Sequence, residues 1–144
     1  MTHEDAGHYA AKHSKDTKAN PKVAEAIRLW ASDKKISCAA AHKIASDLNI
    51  APIDVGTAID LLEYRITRCQ IGLFGYGPQT KIVKPAAEIS SELKKAIHEN
   101  MKDDRLSCLS CWQIAKQLNL KKMGVSAACE TLEIKLCDCQ LGAF

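Results

Sequence analysis

The sequence predicts a mainly α protein with short β-strands, built as two tandem copies of one small unit, and three observations predict it. Shifting the 144-residue chain against itself by 70 positions aligns 20–74 with 90–144 without a gap, and 17 of the 55 positions are identical. A self-match at such a period marks a duplicated structural unit. Within each copy, apolar residues recur at helical spacing. Val55, Ala58, Ile59 and Leu62 stand at i, i+3, i+4 and i+7, and Val125, Ala128, Cys129 and Leu132 repeat them. Each copy then closes on a segment rich in strand formers that ends CQIGLF at 69–74 and CQLGAF at 139–144.

The elements follow in order. Asn20 and Ser90 are good N-caps, and Pro21 fits the first helical position because its missing N–H has no helical partner to lose. The first helix of each copy is predicted to run to about Asp33 and Asp103. A short extended piece, KIS or RLS, delivers Ser37 and Ser107 as caps for the second helix. That helix carries Ile44, Ala45 and Leu48 in copy 1 and Ile114, Ala115 and Leu118 in copy 2, with His42 and Trp112 at equivalent places as core or interface fillers. Asn49 and Asn119 follow, because a tight turn between helices needs left-handed backbone that Asn tolerates. The third helix bears the apolar stripe. YRITRCQIGLF and IKLCDCQLGAF are each expected to form one short strand; a bulge near Arg68 would reconcile the opposite parities of Ile66 and Cys69.

Four segments result: an arm at 1–19, copy 1 at 20–74, a linker at 75–89 broken by Gly75, Gly77 and Pro78, and copy 2 at 90–144. Units this small are marginal alone, so the copies are expected to pack together and bury Leu73, Phe74 and Phe144. A homodimer is a further assembly open to them.

The pattern I-A-x-x-L-N-[IL]-x4-V-x2-A-x3-L-E-x-[RK]-[IL], at 44–66 and 114–136, resembles the helix-turn-helix core of winged-helix domains. The resemblance covers about 20–70 and 90–140 and implies two tandem winged-helix units with truncated wings. Residues 80–84, TKIVK, would supply a second wing strand in copy 1, whereas copy 2 has none. The resemblance further implies a DNA-binding transcriptional regulator whose third helices read duplex DNA. Thr57, Arg65, Arg68, Lys121, Lys122, Ser126, Thr131 and Lys135 would then contact nucleic acid, with Lys81 and Lys84 also in reach of phosphate. Against this, Asp54 and Asp60 in copy 1 and Glu130 in copy 2 would oppose the phosphate charge. Winged-helix folds also serve as protein-interaction or assembly modules, so a protein partner is the alternative.

Composition restrains the DNA reading. Lys+Arg number 20 against 17 Asp+Glu, and the formal charge of +3 falls well short of the strong basic bias of many nucleic-acid binders. Each copy carries +1 (7 minus 6, and 8 minus 7), so neither is the basic one. No apolar run suits a membrane span, and MTHEDAGHYAAKH lacks the pattern of a secretory signal, so a cytoplasmic protein is expected. No acid–base or nucleophile constellation is recognisable, and GLFGYGP does not lead into a capped helix as a dinucleotide loop must, so no enzyme is expected.

Seven cysteines without a secretory signal read as reduced thiols, metal ligands or redox groups. Cys38 and Cys108 fall in the first turn of the second helix, and Cys69 and Cys139 in the closing segment. Copy 2 adds Cys111 and Cys137. The set Cys108, Cys111, Cys137 and Cys139 has spacings suited to zinc or an iron–sulfur cluster, which makes a cysteine-based metal or redox sensor a third reading. The competing expectation is that these thiols fill small buried sites, with Cys129 in the core. His3, His8 and His13 recur every five residues and share no helical face, so they are expected to lie on a mobile arm.

Overall fold

The computed structural model describes residues 8–79 and 81–144; His3 lies outside them. A 3₁₀ turn, Tyr9–Lys12, precedes α1 (Pro21–Trp30), β1 (Lys35–Ser37), α2 (Cys38–Leu48), α3 (Pro52–Leu61) and β2 (Arg65–Thr67). The second copy repeats the order as α4 (Ser91–Asn100), β3 (Arg105–Ser107), α5 (Cys108–Gln117), α6 (Lys122–Thr131) and β4 (Lys135–Cys137). The fold is mainly α with a few short strands.

Local chemistry explains the element ends. Asn20 Oδ1 accepts the Lys22 N–H at 2.9 Å, and Ser90, Ser37 and Ser107 Oγ accept the N–H groups of Leu93, Ala40 and Ser110, each at 3.1 Å. Asn49 and Asn119 are left-handed, at φ 55° and 56°, and let the Ile50 and Leu120 N–H groups return to the carbonyls of Ala45 and Ala115.

The first helices stop earlier than expected, at Trp30 and Asn100. The reason is a tight turn in which two consecutive residues are left-handed: Asp33 and Lys34 in copy 1, Asp103 and Asp104 in copy 2. Ser32 and Lys35 exchange both backbone hydrogen bonds across it, as do Lys102 and Arg105. That geometry reverses the chain and aims it into β1 and β3.

The strands are also shorter than expected. β2 and β4 have three residues each and pair in parallel with β1 and β3, in the register Ile36 to Ile66 and Leu106 to Leu136. Arg68 and Asp138 then turn left-handed, at φ 49° and 52°, so the parity conflict is resolved by ending the strand. Residues 81–84 form no strand, which corrects the expected second wing strand in copy 1.

Two compact units emerge, and they do not coincide with the sequence copies. Unit 1 is Met1–Cys69 with Gln140–Phe144; unit 2 is Gln70–Cys139. In unit 1, Ile27, Ile36, Ile44, Val55, Ile59 and Ile66 are buried from solvent, and Leu141 is buried with them. A Cβ on Gly56 in α3 would lie 1.8 Å from the Leu141 carbonyl oxygen, so the closing segment crosses this helix where only glycine leaves room. In unit 2, Ile97, Leu106, Ile114 and Val125 form the core together with Ile71. The large apolar residues buried in the closing segments are thus Ile71 and Leu141, with Cys69 and Ala143 buried beside them; Leu73 and Phe74 are half-buried, and Phe144 is 40% exposed, contrary to expectation.

Candidate functional site

The third helices are the first place to look for function, and both are strapped. In unit 1 the 3₁₀ turn lies against α3. Glu63 takes the Tyr9 N–H on Oε2 at 2.9 Å and the Ala10 N–H on Oε1 at 2.7 Å, and Tyr9 is buried. Asp60, which is 2% exposed, receives Lys12 Nζ at 3.2 Å and His13 Nε2 at 2.8 Å on its Oδ2. A carboxylate so buried needs such partners, because desolvation penalises an isolated charge.

Unit 2 repeats the device with its linker. The Ala86 N–H donates to the Ala127 carbonyl at 3.0 Å, and Thr131 Oγ1 donates to the Ala86 carbonyl at 2.7 Å. Glu130, at the position equivalent to Asp60, pairs with Lys81 at 3.2 Å, and Val83 is buried. Two of the three carboxylates that would oppose DNA phosphate, Asp60 and Glu130, are therefore partners of strap cations, whereas Asp54 is exposed at the start of α3. His8 is exposed, and His13, expected on a mobile arm, is held at Asp60.

The nucleic-acid candidates scatter. Ser126 is buried at 1% exposure, with Oγ near the Lys122 carbonyl and Cys111 Sγ, and presents nothing outward. Thr57 turns its hydroxyl back to the Ile53 carbonyl at 3.0 Å, and Thr131 is engaged by the linker. Arg65, Arg68 and Lys135 are exposed on or beside the strands. There, register sets Arg65 beside Lys35 and Lys135 beside Arg105. Like charges so placed repel mildly, and the pairing recurs in both units.

The cysteines do not converge. Among the described residues, no three His, Cys, Asp or Glu side chains are grouped to hold a metal ion, and Cys108, Cys111, Cys137 and Cys139 are not brought together as a set. Two of these thiols have different surroundings. Cys111 is buried with its sulfur 3.8 Å from the Lys122 carbonyl, whereas Cys137 is half-buried and its thiol donates to Asp138 at 3.6 Å. Burial and then the Asp138 charge push the Cys137 thiol up, with Arg105 opposing. Burial, aided by Glu130, pushes the Cys129 thiol up to about 11. Raised thiols are poor nucleophiles at neutral pH.

One surface was missed in the sequence. In unit 2 an open apolar groove of about 700 Å³ runs between α5 and the start of α6, over Leu109, Trp112, Leu120 and Met123. Leu109 is 50% exposed and Leu120 42%. Lys116, Lys121, Lys122, Gln70 and Gln113 rim it, and Lys122 Nζ stands 4.5 Å above the Trp112 ring. The available signal was divergence between copies: Leu109, Trp112, Lys116, Lys121 and Lys122 stand where copy 1 has Ala39, His42, Ser46, Ala51 and Pro52.

No helix among the described residues is long and apolar enough to cross a membrane. Compared with protein-family models, with curated proteins and with solved structures, the chain finds no match in any of the three.

Proposed function

We propose that the chain is a non-enzymatic protein-interaction or assembly module made of two tandem helix-turn-helix units of winged-helix type with truncated wings. The observation that carries this reading is the strap on each third helix. From Val55 onward α3 leaves only Thr57 and Leu61 partly exposed, and residues 9–13 lie against it. A helix that reads bases must enter the major groove with an outward face clear of its own chain. Asp60 and Glu130, engaged by Lys12, His13 and Lys81, fit a packed helix better than a reading one.

A second reading, a DNA-binding regulator, draws support from the repeated cation pairs Lys35 with Arg65 and Arg105 with Lys135, together with Lys121 and Lys122 at the start of α6. Phosphate contact through those residues would give affinity without base reading.

Fluorescence anisotropy with labelled random-sequence duplex DNA separates the two. The interaction module shows no binding that steepens as salt falls from 200 to about 50 mM, and Lys121→Glu with Lys122→Glu changes nothing. Tight binding with a steep salt slope, lost in that double variant, would overturn the proposal.

A further inference from the structure

We propose that the α5–α6 groove of unit 2 binds a small organic anion with an apolar body, such as an aromatic or medium-chain carboxylate. The proposal is independent of the protein-partner reading, which rests on the third helices.

Three features of the groove select this ligand. Its volume, about 700 Å³, lies within the range of small-molecule sites, which are concave, mostly apolar and furnished with a few polar groups that orient the ligand. Its floor, Leu109, Trp112, Leu120 and Met123, combines a flat aromatic surface with flexible aliphatic and thioether groups, suited to a ring or a short acyl chain. Its ionisable rim carries one sign only: Lys116, Lys121 and Lys122 line it and no carboxylate does. A neutral or cationic ligand would leave that charge unanswered.

The lysines divide the work. Lys122 Nζ already lies over the Trp112 ring of the floor, 4.5 Å from its centroid, and its charge is met by the indole. Lys116 and Lys121 are exposed and project their charges at the rim, where a carboxylate or sulfonate would sit while its body covers the indole. Gln70 and Gln113 offer amide donors beside them.

Duplication sharpens the assignment. The framework that positions the groove, Ile114, Ala115 and Asn119, is identical in copy 1 as Ile44, Ala45 and Asn49. The residues that line it are only partly kept. Leu120 and Met123 correspond to Ile50 and Ile53, but Leu109 and Trp112 give way to Ala39 and His42, and Lys116, Lys121 and Lys122 to Ser46, Ala51 and Pro52. The aromatic surface and the three-lysine rim are thus features of copy 2 and not of the shared scaffold.

The test uses two dyes with similar apolar bodies and different charge: 1-anilinonaphthalene-8-sulfonate, an anion, and N-phenyl-1-naphthylamine, which is neutral. The protein is the full chain carrying Trp30→Phe, which leaves Trp112 as the remaining tryptophan of the two. The expected result is saturation by the anionic dye at one equivalent, with loss of Trp112 emission by energy transfer. The neutral dye binds about tenfold more weakly. Lys116→Glu with Lys121→Glu, both at exposed positions, weakens the anionic dye about tenfold, as two half-exposed charge contacts would, and leaves the neutral dye and the melting curve unchanged. Phenylacetate and decanoate displace the anionic dye. Equal affinity for both dyes, indifference to the double variant, or uptake of many dye molecules without saturation would each overturn the proposal.

Discussion

Replacing Gly56 by alanine sets two effects of known sign against each other. In a helix interior, alanine is favoured over glycine by about 1 kcal/mol, because glycine loses more backbone freedom on folding. At position 56 that gain meets backbone. The new Cβ would lie 1.8 Å from the Leu141 oxygen, 2.7 Å from its carbonyl carbon and 3.0 Å from its Cα. No rotamer relieves a clash with main chain, so the closing segment has to lift away from α3. Leu141 is 1% exposed and Ala143 4%, and losing the burial of one leucine side chain costs roughly 1.5–3 kcal/mol. The loss outweighs the gain, and Gly56→Ala is expected to destabilise unit 1 by roughly 0.5–2 kcal/mol. At roughly 4–8 °C per kcal/mol for a unit of this size, that is visible by calorimetry and as a lower urea midpoint. Gly124 is the control. It lies in α6, and a Cβ there meets nothing within 4 Å, so Gly124→Ala should stabilise by up to about 1 kcal/mol. Opposite shifts are the signature. A Gly56→Ala protein that melts at or above the parent temperature would refute the packing argument, since helix propensity alone would then have decided the outcome.

Two further outcomes are expected. Deleting residues 141–144 removes Leu141 and Ala143 from the unit 1 core and also the Gly142 carbonyl that accepts Lys12 Nζ at 3.1 Å, so the melting temperature should fall by more than in Gly56→Ala; an unchanged transition would contradict the burial described. Burial raises the Cys129 thiol to about 11, above the 8.5 or so of an unfolded chain, so its protonated form is favoured by folding. That contribution is complete below about pH 8.5 and is lost as pH rises towards 11; urea midpoints measured from pH 7 to 10.5 should fall more steeply for the parent than for Cys129→Val, and parallel curves would refute it.

Much of the fold was legible because its signals are local. Ser37, Ser107, Asn20 and Ser90 cap within three residues, and Asn49 and Asn119 turn left-handed where the chain must reverse. The straps were not legible, since Glu63 meets Tyr9 across 54 positions and no periodicity reports such a contact. A trace existed in the acidic Asp60 and Glu130, whose charge conflicts with a DNA-reading helix and is explained once Lys12, His13 and Lys81 are set beside them. The surroundings of the cysteines were hidden for a related reason. Spacing along the chain fixes how far apart two thiols can be, but not that Cys111 faces the Lys122 carbonyl while Cys137 faces Asp138. The groove stayed hidden because its residues look like ordinary surface until the two copies are compared position by position.

The closing segments have a consequence for how the repeats are counted. Unit 2 runs continuously from Gln70 to Cys139 and begins with its closing segment, whereas unit 1 takes the equivalent five residues from the far end of the chain. The two units are therefore circular permutants of one design. A chain reordered to begin at Gln140, with Phe144 joined through the arm to residue 8 and onward, would present both in the same order. The Lys12 to Gly142 hydrogen bond already brings the two ends of that splice together. The boundary between the units lies after Cys69, between the cysteine and the glutamine of CQIGLF, upstream of the glycine- and proline-bearing linker.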